Sequence, residues 1–451
     1  MSSKTAIILA AGKGTRMKSL IPKVLHRICG REMVALVVDS ACQAGYKDTV
    51  VIVPPEGEAI RKLFGDTVRY AVQHRQNGSG DALRSARSAA SEVEDVAVLN
   101  GDVPLISPET LKEMARVHTA RRAAVTLLTA KPQDPRGLGR IARDAEGRVM
   151  AVVEESEADE ATRASSEINA GVYLFRASWL WPNLDALTPS AKGEVYLTDL
   201  VARAHEQGAV IAEVVASRSE DAMGVNDRVQ LAHAEAVLQA RLREKWMLAG
   251  VTMPDPASVF IEVGVVIGED TVVQPNSYLR GTTTIGSGCE VGPGSIIVDS
   301  RVGDGCKVVS SMVEGATLEE DVRVGPFSHV RHESYLGKGV HLGNYAEVKA
   351  SRLGRGTRVH HFSYLGDAEV GANVNVGAGT ITCNFDGEKK NKTTIGDDVF
   401  IGSDTMLVAP VTLGPRSATG AGSVVTRDVP PDTLVVGVPA KPRPKKGPSK
   451  T

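Results

Sequence analysis

The chain has 451 residues, 42% of them hydrophobic, and a formal net charge of -2. That length accommodates two or three domains, and that composition excludes global disorder. The charge balance gives no electrostatic case for nucleic-acid or membrane binding.

In chain order, Thr5–Leu9 is an apolar run that predicts a buried strand. A glycine-rich loop comes next, then a helix from Met33 to Ala44. Thr49–Val53 is the next strand, followed by a polar helix through Ile60 and Leu63. Val96–Leu99 is a third buried strand ending in Asn100-Gly101-Asp102, and Ala124–Thr129 is a fourth. This alternation predicts a Rossmann-like parallel sheet with helices on both faces. Ligands of such sheets sit past the carboxyl ends of the strands. Gly12–Arg16 and Gly101-Asp102 both lie there.

From Asp227 to Trp246 the apolar residues Leu231, Ala234, Val237, Leu238, Leu242 and Trp246 recur at helical spacing. They predict one linker helix between domains, placing the boundaries at 1–226, 227–247 and 248–451. Beyond residue 250 the apolar period becomes six. One run is Ile267, Val273, Leu279, Ile285, Val291 and Ile297. The phase slips by one at Val302 and resumes at Val308. Leu318, Val324, Val330, Leu336, Leu342 and Val348 form a second run. Ile395, Ile401, Leu407, Leu413, Thr419 and Val425 form a third. A six-residue period is one flat side of a triangular coil, with the apolar residue inside the prism. Aromatics at 4% beside 45 glycines fit such backbone-dense repeats.

The hexads stop between Ile381 and Ile395, where the polar stretch 382–394 is expected to leave the prism as a loop. The tail, rich in Pro, Lys and Gly, is expected to be disordered from about residue 440. Cys29, Cys42, Cys289, Cys306 and Cys383 are scattered and lack CxxC spacing, so thiols in a reducing cytosol are expected rather than a disulfide or zinc framework. No segment approaches the ~20 apolar residues that span a bilayer. The expectation is a soluble, cytoplasmic protein without nucleic-acid or membrane partners.

Leu9-Ala10-Ala11-Gly12-Lys13-Gly14-Thr15-Arg16-Met17 comes directly after the first strand. Its small residues let backbone N–H groups approach a triphosphate. It is neither GxGxxG nor Walker A, so neither a dinucleotide fold nor a P-loop ATPase is implied. Arg16 and Lys23 are cations suited to a phosphoryl group under attack and a departing pyrophosphate. In the second half, His360-His361 stands on the hexad scaffold. A neutral imidazole is a general base at pH 7. Neighbours on a strand point in opposite directions, so only one of the two is expected to face a given cleft.

The glycine string resembles the sugar-1-phosphate nucleotidyltransferase family. With the hexads, nearly the whole chain resembles the bifunctional pyrophosphorylase/N-acetyltransferases that make UDP-N-acetylglucosamine. The resemblance implies a C-terminal left-handed parallel β-helix, a homotrimer with acetyl-transfer sites between subunits, Mg²⁺ as cofactor and acetyl-CoA as co-substrate. It implies UTP contacts at Leu9, Ala10, Ala11, Gly12 and Lys23, uracil reading by Gln73, Gly78 and Ser79, and further contacts at Asn100 and Gly101. Asp102 and Asn226 match the Mg²⁺ ligands, and Gly139, Glu154 and Asn169 the sugar positions. In the second half it selects His361 as the base. Arg331, Lys349, Tyr364 and Asn375 match the glucosamine 1-phosphate contacts. Ala378, Asn384, Phe385, Ser403 and Ala421 match the acetyl-CoA contacts.

Four positions depart from the family pattern. Asn100 replaces Tyr, Ser79 replaces Thr, Phe385 replaces Tyr, and Gly437 replaces Arg. The ending Gly437-Val438-Pro439-Ala440-Lys441 is similar to that of other hexapeptide acyltransferases, in which a late lysine meets the CoA phosphates, so Lys441 is a candidate substitute. The alternative reading keeps the nucleotidyltransferase and leaves the β-helix to assembly or regulation.

Overall fold

A computed structural model of the chain describes residues 4–443 except Ser91, Ser156, Ala191 and Lys192. It divides into two units, 1–238 and 239–451.

In the first unit, Lys4–Leu9 pairs in parallel with both Asp48–Val53 and Asp95–Asn100. Its side chains alternate between two cores. Ala6 and Ile8 join one apolar cluster and Ile7 the other, as the period of two requires for a sheet covered on both faces. Each fully buried Ile or Leu there contributes about 1.5–3 kcal/mol. Helix Met33–Gln43 buries Val34, Ala35, Val37, Val38 and Ala41 against the first cluster. The helix Pro108–Arg121 starts at Ser107, whose hydroxyl accepts the Thr110 N–H at 3.2 Å.

The strands run in the order Ile211–Val215, Val125–Ala130, Ile168–Arg176, Asp95–Asn100, Lys4–Leu9, Asp48–Val53 and Arg69–Val72. This corrects the expectation of a parallel sheet: Ile168–Arg176 is antiparallel to both of its neighbours. A parallel entry needs a crossover back to the starting edge. Here the chain instead arrives from the hairpin of Arg140–Arg143 and Val149–Val153, so it enters the sheet from the opposite end. The register slips between Asn169 and Tyr173. Gly171, at φ 69°, takes the left-handed conformation this bulge needs.

The helix Arg228–Leu248 contains the division between the units. In the first unit, the Glu235 carboxylate accepts the Cys29 N–H at 2.7 Å. In the second, the Gln239 amide donates to Ile261 O and accepts from Ile261 N, each at 3.0 Å. Trp246 joins the core of the second unit.

That unit carries three strand stacks of ten, nine and eleven strands among the described residues, parallel except at the last strand of the third, with every third strand returning to the same face until the final coil. These are the stacks of a left-handed β-helix of hexapeptide repeats. Ile261, Leu279, Ile297, Val313, Val330, Val348 and Leu365 are stacked inside one face with no exposure. Corner residues such as Asp270, Asn276, Asp321, Asn373 and Asp398 have positive φ, a conformation Asp and Asn tolerate better than most side chains. Buried corner hydroxyls reach across coils: Thr271 donates to Gly286 O and Thr357 to Gly371 O, each at 2.8 Å. At Gly268 a Cβ would lie 2.6 Å from the Gly286 backbone of the next coil. The phase slip has a local cause. Ile296–Val298 is followed by Arg301–Val302, a corner closed by Asp299, at φ 45°, and Ser300.

The polar excursion is shorter than expected. Ile381–Cys383 and Thr393–Ile395 are strands, so only residues 384–392 leave the coil. A Phe385–Lys390 bridge closes the excursion, and the Asp386 carboxylate accepts the Glu388 and Lys389 N–H groups at 2.9 Å. The tail expectation is also corrected for Lys441–Arg443. Gly437, at φ 97°, helps turn the chain back, and these residues pair antiparallel with Leu434–Val436. Residues 444–451 lie outside the described residues. Cys42, Cys289, Cys306 and Cys383 are free thiols. Among the described residues no helix is long and apolar enough to cross a membrane.

Candidate active sites

The glycine loop leaves Lys4–Leu9 at the carboxyl end of the sheet, and Ala10 N–H still bonds Ile52 O at 3.0 Å. Gly12 has open space where a Cβ would stand, so its backbone is approachable. A cavity of about 500 Å³ is lined by Leu9, Ala11, Gly12, Lys23, Gln73, Gly78, Ser79, Asn100 and Asp102, all expected from sequence. Ala10 and Gly101 support this lining rather than face the cavity. Ala10 is buried, and Gly101 N–H bonds Leu9 O at 2.9 Å. Gln73 is almost wholly buried, and its amide donates to Gly78 O at 3.2 Å and to Asp81 at 3.3 Å. Ser79 Oγ accepts the Leu197 N–H at 3.0 Å.

At one side of the cavity the charges meet. Lys23 pairs with Asp102 and donates to Asn226 Oδ1 at 3.1 Å. Arg16 donates to the same Oδ1 at 2.9 Å. Val225 N–H bonds Asp102 O at 2.8 Å, and Asn226 N–H bonds Gln230 Oε1 at 2.7 Å, which anchors the backbone of both residues. Gly139, Glu154 and Asn169 form a second group. Asn169 N–H donates to Gly139 O at 2.9 Å, and a Cβ at Gly139 would lie 3.7 Å from Glu154 Oε1. Arg140, 1% exposed, donates to Leu138 O, to Ser165 O at 3.0 Å and to Glu155 at 3.2 Å, clamping that turn.

Sequence reasoning assigned no role to five cavity residues: Lys13, Val24, Gln76, Ala82 and Glu194. The Gln76 amide donates to Ala11 O at 2.8 Å and so braces the glycine loop. Glu194 precedes Val195, whose backbone exchanges 2.8 Å hydrogen bonds with Asn77 and Gly80. Lys13 stands within the glycine string, whereas no local motif marks Gln76 or Glu194; packing alone brings these two in.

On the β-helix, Arg331 and Lys349 lie on successive coils, joined by an Arg331 N–H to Val348 O bond of 2.8 Å. Arg331 also pairs with Glu347 at 2.8 Å, and this carboxylate holds its guanidinium above the usual pKa. Tyr364 is opposite Glu347 on the next coil. Asn384 donates to Tyr364 Oη at 3.4 Å and to Asp367. The excursion adds Lys390, which was not anticipated. It lies beside Lys349, whose like charge holds the Lys390 ammonium below the ordinary lysine range.

His361 ends the strand Arg358–His361 and is exposed at a corner, opposite Asn344. Val359 is buried, yet both following imidazoles lie outside the core, with centroids 6.2 Å apart and planes at 86°. The corner ends the strand before the second side chain can point inward. Asn375 stands on the same stack as His361, with no side-chain hydrogen bond to the Arg331–Lys349 group among the described residues. Ala378, Ser403 and Ala421 form a column along one corner: Asp404 N–H bonds Ala378 O at 2.6 Å, and Gly422 N–H bonds Ser403 O at 2.8 Å. Phe385, 61% exposed, projects from the excursion.

A nucleotidyl transferase family model matches residues 5–247, and a bacterial transferase hexapeptide model matches residues 264–299 and 392–427. The bifunctional protein GlmU of Heliobacterium modesticaldum is 47% identical over 438 residues, covering 97% of this chain and 96% of the relative. The proteins of the same name from Pelobacter propionicus and Syntrophomonas wolfei are 44% and 42% identical, over 97% and 96% of this chain and 96% and 97% of theirs. With both halves matched across almost its whole length, the chain belongs to the family of bifunctional GlmU enzymes.

Proposed function

We propose that the protein makes UDP-N-acetylglucosamine in two steps. The β-helix transfers an acetyl group from acetyl-CoA to the amine of glucosamine 1-phosphate. The first unit then joins the N-acetylglucosamine 1-phosphate to UTP and releases pyrophosphate. The observation that carries the first half is the convergence of Arg16, Lys23, Asp102 and Asn226 at the glycine-loop cavity.

In uridylyl transfer a sugar-phosphate oxygen attacks the α-phosphorus of UTP and the bond to pyrophosphate breaks. Arg16 and Lys23 neutralise the charge that gathers on the phosphates. Gln73 presents an amide that can donate and accept toward uracil. Gly139, Glu154 and Asn169 orient the sugar. The residues present fit Mg²⁺: Asp102 Oδ2 and Asn226 Oδ1 are hard oxygen donors that converge on the one Lys23 ammonium. Bound there with phosphate and water oxygens, Mg²⁺ would supply further charge neutralisation.

In acetyl transfer His361 takes a proton from the sugar amine as nitrogen attacks the thioester carbonyl. The C–S bond breaks and CoA leaves. Arg331, Lys349 and Lys390 form a cationic group for the sugar phosphate. Tyr364 and Asn375 contact the sugar, while Ala378, Asn384, Phe385, Ser403 and Ala421 contact acetyl-CoA.

A homotrimer is the assembly this reading requires. Supporting it, Phe327, Tyr345 and Phe362 are 57%, 63% and 59% exposed on successive coils. The Phe327 and Tyr345 rings stack with centroids 5.4 Å apart. An exposed aromatic column of this kind marks an interaction surface.

The test is to supply glucosamine 1-phosphate, acetyl-CoA, UTP and Mg²⁺ and to follow free thiol and pyrophosphate separately. Both signals are expected. Pyrophosphate from N-acetylglucosamine 1-phosphate without thiol release from glucosamine 1-phosphate would leave the β-helix an assembly module.

A further inference from the structure

Cys289 and Cys306 occupy the same position on successive coils. Each immediately precedes a strand, and those strands pair with Glu290 opposite Lys307. The Glu290 N–H bonds Cys306 O at 2.9 Å, which holds the two cysteines in register. Neighbouring strands lie about 4.8 Å apart, within the Cα separation of roughly 4.4–6.8 Å that a disulfide spans. Both side chains point into the prism, 2% and 1% exposed. Cys289 Sγ lies 3.2 Å from Gly303 O, and Cys306 Sγ lies 2.9 Å from Glu319 O. Cys29 and Cys42 belong to the other unit, and Cys383 stands on a different face. Neither proposed transfer reaction uses this thiol pair.

We propose that Cys289 and Cys306 are a modification site, at which a peroxide joins the two sulfurs into a disulfide that staples successive coils. The first thiolate attacks one peroxide oxygen; the O–O bond breaks, the departing hydroxide takes a proton and leaves as water, and a sulfenic acid remains. The second thiol attacks that sulfur. The S–S bond forms, the S–O bond breaks, and the departing hydroxide takes the second thiol's proton to leave as water. Two electrons pass from the sulfurs to the peroxide, and an external dithiol reverses the change. Cys289 is the better first nucleophile. Its hydrogen bond with Cys306 brings its pKa down to about 7, whereas the same contact and burial push Cys306 up. Hydrogen peroxide is little larger than water, as access to so buried a pair requires.

The experiment exposes the full-length protein to hydrogen peroxide at neutral pH, quenches with acid, then unfolds, alkylates and digests it. Arg301 lies between the two cysteines, so trypsin separates them unless they are linked. The expected product is a linked Cys289/Cys306 peptide pair that dithiothreitol resolves. Its formation is expected to raise the melting temperature of the β-helix by several degrees and to leave both transferase rates within twofold. In Cys306→Ser the linked pair is expected to vanish, and dimedone is expected to label Cys289. Should that variant not fold, Cys306→Ala and the wild-type peptide map decide. The proposal is overturned if both thiols stay alkylatable after unfolding while Cys42 is oxidised. It is also overturned if Cys289 passes to sulfinic acid unlinked, or if either cysteine links only to another chain.

Discussion

The two halves build a charged site in opposite ways. In the first unit the groups come from loops far apart in sequence: Lys23 and Asn226 are 203 residues apart yet 3.1 Å from each other. The strands end together, and the loops leaving them converge. On the β-helix the cations come from the repeat itself. Arg331 and Lys349 are outward neighbours on successive coils, and only Lys390 arrives by an excursion. An α/β sheet gathers distant segments at one edge, whereas a solenoid presents a local ladder. Single substitutions should therefore separate the two activities cleanly.

The sharpest break is His361→Ala. Loss of a general base is expected to lower CoA release by about 10²–10⁴-fold and to leave pyrophosphate release from N-acetylglucosamine 1-phosphate unchanged. Separate stopped-time assays of the two products check this. Equal loss of both would join the halves functionally and end the comparison.

The reciprocal variant is Lys23→Ala. Removing a cation that acts on the transferring phosphates is expected to lower pyrophosphate formation by about 10²–10³-fold, with thiol release intact. An effect confined to KM would recast Lys23 as a binding group alone.

A smaller effect distinguishes ladder from excursion. Lys390→Ala is expected to raise KM for glucosamine 1-phosphate about tenfold with kcat little changed. The pH dependence has a definite sign. Lys349 holds the Lys390 ammonium below the ordinary lysine value, so rising pH removes the Lys390 charge, and weakens phosphate binding, below the ordinary lysine range. In Lys349→Met the remaining pH-dependent weakening should move to higher pH. A fall that stays in place would show that Lys390 does not meet the phosphate.

The smallest expected effect concerns the chain's end. Lys441 lies on the strand paired with Leu434–Val436, just after the turn at Gly437. Lys441→Ala is expected to raise the Kd for acetyl-CoA about threefold to tenfold, as loss of one exposed phosphate contact does. Unchanged affinity by calorimetry would remove Lys441 from the site.

Much of this architecture was legible before any coordinates. Leu318, Val324 and Val330 announce a prism because the inward position recurs every sixth residue, a purely local rule. Leu9–Arg16 announces a phosphate loop because a buried strand running into small residues leaves backbone N–H groups free. The residues alone thus determined whatever short-range geometry dictates: strands, coils, corners and the glycine turn. Tertiary structure decided the rest. It turned Ile168–Arg176 antiparallel, because the preceding hairpin delivers the chain to the other end of the sheet. It placed Gln76 under Ala11 and Lys390 beside Lys349, contacts across loops whose paths no local pattern encodes. It also stacked Cys289 on Cys306, because coil length, shortened at the Asp299 corner, sets which residues meet. Local spacing specifies the element; only the closed fold specifies its neighbour.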